Sequence, residues 1–78
     1  MATDKQSIKA LKKTIALNLK AQLEITGISG NELGVKAGIA RGTITRLLNE
    51  DSNATIENLH KIASTLDTDV WRLCKSQD

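Results

Sequence analysis

The sequence predicts a compact all-α domain of five helices, and three observations lead there. Its apolar residues are almost all Leu, Ile, Val and Ala, proline is absent, and β-branched runs are short, a composition that favours helices over strands. Apolar residues recur at spacings of three and four, the period of a helix with one buried face. Residues suited to helix capping stand before four of the apolar stretches.

Ile8, Leu11, Ile15, Leu19 and Leu23 form one stripe of a long first helix, with Ser7 as the expected N-cap and Thr26-Gly27 as its end. Residues 1–7 are expected to be a flexible tail. Ser29-Gly30-Asn31-Glu32 reads as a capping box, in which Ser29 and Glu32 satisfy each other's backbone donors. The helix it opens holds Leu33 and Ala37 and stops at Gly38, where a left-handed residue lets the chain turn. A second short helix carries Ile44, Leu47 and Leu48 on one side, and the polar loop Asn49 to Asn53 follows. Thr55 is expected to cap a fourth helix with Ile56, Leu59, Ile62, Ala63 and Leu66 facing inward. Asp69 should cap a short fifth helix holding Val70, Leu73 and Cys74. No internal repeat, linker or low-complexity segment interrupts the chain, so residues 1–78 read as one domain.

Composition narrows the function. The longest apolar runs are a few residues, too short for a membrane span or a signal peptide core. The single cysteine, Cys74, has no disulfide partner within the chain, so a reducing cytoplasm is expected. There is no Walker-type loop, no pair of catalytic carboxylates and no Ser/His/Asp set, so neither an enzyme nor a cofactor is expected. A lone His60, placed at the edge of the buried face, reads as a packed side chain and no metal is expected. The net charge is +2, but it is divided unevenly. Residues 1–49 carry eight basic and three acidic side chains, and residues 50–78 carry three basic and six acidic ones. The basic half suits a polyanionic partner.

The informative stretch is Ser29 to Leu48, two short helices joined by Gly38-Ile39-Ala40. Gly34, one turn before the end of the first, leaves room for a close crossing, and alanine there is expected to be neutral or stabilising. Ile39, Ile44 and Leu48 should fill the angle between the helices. Leu33, Gly34, Gly38, Ile39, Thr43, Ile44 and Leu47 stand where the Cro/repressor helix-turn-helix family (lambda-repressor-like, Xre-type) places its own key residues. Thr55-Ile56-Glu57-Asn58-Leu59 with Ile62, Ala63 and Leu66 is similar to that family's fourth helix, and Asp69-Val70 with Leu73 to its fifth. The resemblance runs from about Leu19 to Cys74 and implies a lambda-repressor-like fold with an extended first helix.

It also implies a double-stranded DNA operator as partner, read in the major groove by the helix beginning near Arg41. Ala40, Arg41, Gly42, Thr45 and Arg46 are the expected base readers. Arg41 and Arg46 lead them, because a guanidinium fork matches the O6 and N7 acceptors of guanine. A phosphate contact or a solvated charge is the alternative for each. Asn31, Lys36, Thr43, Asn49, Ser52 and Asn53 are the expected phosphate contacts. The sequence departs from the family at Gly30, where many members carry a glutamine, and at Ala40, where a Ser or Thr usually caps the recognition helix. The first helix also extends upstream, carrying the patch Ala10, Leu17 and Ala21 opposite its core stripe.

The resulting expectation is a sequence-specific transcriptional repressor, phage-like or plasmid-like, acting as a homodimer on a pseudo-palindromic operator. Trp71 and Leu17 are the candidate dimer contacts, with core packing an equal reading for Trp71. The chain ends just after the fifth helix, so it reads either as a small repressor or as the DNA-binding module of a larger one. An antitoxin-like subunit holding a protein partner, or a restriction-modification controller, is the alternative on the same fold.

Overall fold

A computed structural model describes residues 5–51 and 54–75. Five helices follow in order: α1 (Lys5–Thr26), α2 (Gly30–Ala37), α3 (Arg41–Leu48), α4 (Ile56–Thr65) and α5 (Val70–Cys74). Helix α1 packs against α3 and α5, α2 against α3 and α4, and α4 against α5. Leu19, Leu33, Ile44, Ile62 and Leu73 are fully buried, so each helix contributes one of the large side chains at the centre. Burying an aliphatic side chain of this size is worth about 1.5–3 kcal/mol. No helix of the described residues is long and apolar enough to cross a membrane.

The short helices are held at their ends. Ser29 Oγ accepts from the Glu32 N–H at 3.1 Å while the Ser29 N–H donates to Glu32 Oε1 at 3.3 Å, completing the expected capping box. Gly38 is left-handed at φ 71°, and the following Ile39 N–H returns to the Gly34 carbonyl at 2.9 Å. Thr55 Oγ1 accepts from the Asn58 N–H at 3.1 Å. Helices α3 and α4 close through left-handed Glu50 (φ 62°) and Asp67 (φ 57°), a conformation that aspartate tolerates better than glutamate. In each case the next N–H reaches back five residues, Asp51 to the Arg46 carbonyl and Thr68 to the Ala63 carbonyl.

Several sequence expectations are corrected. Helix α1 begins at Lys5, so Ser7 lies inside it and residues 5–7 are helical; Lys and Gln are good helix formers and extend it by a turn. Residues 1–4 lie outside the described ones. Ile8 and Leu11 continue the core stripe by spacing but are 46% and 47% exposed, because they line an open groove that the facing elements leave unfilled. Ile56 is 79% exposed. It opens α4, and helical side chains lean toward the N-terminus, here past the first turn into solvent. Asp69 occupies the N-cap of α5 without a side-chain cap bond; its Oδ2 lies 3.9 Å from Arg72 Nε instead. His60 is exposed, 3.5 Å from Ser64 Oγ, rather than packed at the core edge.

Gly34 is buried, and a Cβ there would lie 3.0 Å from the Ile39 carbonyl oxygen and 3.5 Å from Ile44 Cγ1. The nearest obstacle is backbone, which cannot turn aside as a side chain would. The expected tolerance of alanine at this position thus turns on whether the Ile39 carbonyl can give by a few tenths of an ångström.

Candidate nucleic-acid interface

Helix α3 has a sharp division of faces. Ile44 and Leu47 are buried, whereas Arg41, Gly42, Thr45, Arg46 and Asn49 are all exposed. Those five positions fall at intervals of one, four, five and eight residues from Arg41, so they share one side of the helix. Burial of the opposite side against α1 and α2 orients this surface outward as a rigid unit. Two guanidinium groups project from it, and eight residues make a rod about 12 Å long, suited to a DNA groove.

Details of this face depend on local bonding. Ala40 is the N-cap at φ −57° and ψ 140°, exposed, and makes no side-chain cap bond, as an alanine must. The start of α3 therefore presents backbone N–H groups that no side chain covers, a disposition that favours an anion. Thr45 Oγ1 donates to the Arg41 carbonyl at 3.1 Å. Its hydroxyl proton is thus engaged within the helix, leaving the methyl group and an oxygen lone pair outward. The Asn49 N–H is bonded to the Thr45 and Arg46 carbonyls, at 3.0 and 3.2 Å, which anchors its side chain at the helix end.

The residues expected at phosphates are more scattered. Thr43 is half-buried on the flank of α3. Asn31 in the first turn of α2 and Lys36 in its last are both exposed. Ser52 and Asn53 lie outside the described residues. At Gly30 a Cβ would meet Leu48 Cδ1 at 3.4 Å and Ile44 Cγ2 at 3.6 Å. Position 30 therefore abuts the apolar flank of α3, and this chain braces its second helix there without a glutamine.

The candidate dimer residues are separate from this face. Leu17 is exposed on α1, with Ala10 and Ala21 exposed on the same helix. Trp71 is exposed, not packed in the core, and its ring lies 5.2 Å from the Arg72 guanidinium carbon and 5.6 Å from Lys75 Nζ. Among the described residues no group of three or more His, Cys, Asp or Glu side chains is placed to hold a metal.

One structural residue is absent from the sequence reading. Asn18 is 3% exposed, and its side-chain amide reaches the end of α5. The available signal was its position, three residues after Ile15 and beside Leu19 in the buried stripe.

The helix-turn-helix family model matches residues 19–70. The fold is similar to a crystal structure described as the hypothetical transcription factor NHTF from Neisseria. The two share 22% identity over 99% of this chain and 85% of that one, with a TM-score of 0.83. At that identity the likeness is one of fold. A search of curated protein sequences finds no match.

Proposed function

The chain belongs to the helix-turn-helix family, and from that premise we propose that it is a sequence-specific double-stranded DNA-binding repressor, phage- or plasmid-type, and not an enzyme. The observation that carries this reading is the exposed face of α3, with Arg41 and Arg46 outward and Ile44 and Leu47 buried behind them. Arg41 and Arg46 take guanine edges, while Gly42 allows close approach and Ala40 and Thr45 offer methyl contacts to thymine. Asn31, Lys36, Thr43, Asn49, Ser52 and Asn53 hold the phosphate backbone and fix the register. Its place of action is the cytoplasm of a bacterial or phage-infected cell, where such DNA lies.

One short recognition helix contacts too little DNA for tight binding, so two copies act together on a pseudo-palindromic operator. Selection of binding sites from random duplex DNA at a stated salt concentration tests the proposal. The expected result is an enriched sequence of two inverted half-sites with centres about 34 Å apart. No enrichment, with binding indifferent to sequence, overturns it.

A further inference from the structure

We propose that a second copy of this chain docks in an apolar groove between the first turns of α1 and the start of α4. This rests on the reading that two copies act together, and it names the surface where they meet.

The groove has a volume of about 490 Å³. Ile8, Leu11 and Lys12 line it from α1, and Glu50, Ile56 and Val70 face them. The α1 wall lies upstream of the family match, which begins at residue 19. It leaves aliphatic side chains half in water. Ile8, Leu11 and Ile56 stand among the large exposed apolar residues, and here they converge on one depression. Exposed aliphatic side chains gathered on one depression gain from burial against a partner.

Charge indicates the occupant. The α1 lip is basic: Lys12 lines the groove and exposed Lys9 stands one turn before it. The facing lip is acidic, with Glu50 in the lining and Asp51 next to it, while Glu57 beside Ile56 is paired with Lys61 at 3.8 Å. In a two-fold pairing every contact from one residue to another recurs in reverse. A second copy can therefore set its basic lip against the acidic lip of the first, and its acidic lip against the basic one, while the exposed isoleucines and Leu11 bury each other. A groove with lips of opposite sign is complementary to itself. Leu47 also lines the groove and belongs, with Ile44, to the buried side of α3. The rival contacts are poorer. Leu17 has only alanines beside it on its helix face, and the Trp71 ring already carries two cations.

Sedimentation equilibrium of the whole chain without DNA tests the proposal, with helical circular dichroism as the check on folding. The wild type should dimerise, and Leu11→Asp should be a folded monomer. Lys12→Glu and Glu50→Lys should each weaken self-association on the order of tenfold, because each creates two like-charge contacts across the two-fold. Mixing the two variants should restore dimers, since the heterodimer regains both opposite-charge pairs. Attraction between Lys12 and Glu50 within one chain would be restored in the double variant but not in the mixture. A monomeric wild type, a Leu11→Asp dimer, or a mixture without recovery overturns the groove. So does loss of the dimer in Leu17→Asp or Trp71→Ala while Leu11→Asp keeps it. Failure of the DNA-binding reading leaves these DNA-free results unchanged, so the two outcomes are distinguishable.

Discussion

The side-chain amide of Asn18 on α1 donates to the backbone carbonyl of Leu73 on α5 at 2.7 Å. The same nitrogen donates to the Lys75 carbonyl at 2.7 Å and lies 3.3 Å from that of Arg72. Helix α5 has five residues, too few to be stable by itself, and its last carbonyls have no partner further along the helix. A buried amide from the first helix caps the last, joining elements more than fifty positions apart.

Replacing Asn18 by Ala leaves those carbonyls without this donor in a buried setting. The expected loss is about 1–3 kcal/mol in urea unfolding. Asn18→Asp should be worse at neutral pH, because an ionised carboxylate cannot donate and repels the carbonyl oxygens. Its deficit relative to Ala should shrink as acid protonates it. Equal stabilities for wild type and Asn18→Ala would show that α5 is held by packing alone.

Two glycines should resist substitution for different reasons. Gly38→Ala meets no atom within 4 Å but places a Cβ at φ 71°, costing about 1 kcal/mol. Asparagine there should be milder, since its side chain tolerates the left-handed region. Gly34→Ala meets the Ile39 carbonyl at 3.0 Å and should cost about 1–3 kcal/mol, rising with side-chain size. Thermal unfolding of the three variants checks the ordering, and a stabilised Gly34→Ala would contradict it.

Ala40→Ser supplies the missing cap acceptor at the start of α3 and should stabilise the fold by about 0.5–2 kcal/mol. The same scan serves here. A neutral result would mean that the added hydroxyl turns to solvent instead of the amides of the first turn.

Arg41→Ala should cost about 1–3 kcal/mol of specific DNA binding and relax preference at one base pair. Lys36→Ala should weaken binding to every sequence alike and lower the salt slope by about one unit. Anisotropy titrations over a salt series separate the two effects. Intact site preference in Arg41→Ala would move the reading to Arg46.

Burial pushes the Cys74 thiol above its ordinary value of 9.0. The folded state thus favours the protonated thiol, and that contribution is complete below the unfolded value and lost as pH rises through the folded one. Stability should fall as pH rises above 9 more steeply in the wild type than in Cys74→Ala. Alkylation of Cys74 at neutral pH should also be slower in the folded chain than in urea. Parallel pH profiles would remove the thiol as their cause.

The amino-acid sequence by itself determined what is local. The spacing of Leu19, Ile44 and Ile62, the Ser29–Glu32 box, Thr55 before α4 and the left-handed Gly38 each depend on residues a few positions apart. The outward face of α3 was legible for the same reason, since Ile44 and Leu47 mark the side that must turn in. Tertiary structure decided what depends on a distant neighbour. Periodicity places Ile8 and Leu11 on the core stripe, but only the reach of α3 and α5 decides whether anything covers them. Ile56 has the spacing of a core residue, yet its place in the first turn points it past its own helix. Gly34 reads as a loose position until the Ile39 carbonyl returns over it. Asn18 reads as a polar interruption of an apolar stripe until α5 ends beside it. A helix pattern states which side is apolar; the partner for that side comes from elements far along the chain, and close packing settles the rest at the scale of a single carbonyl.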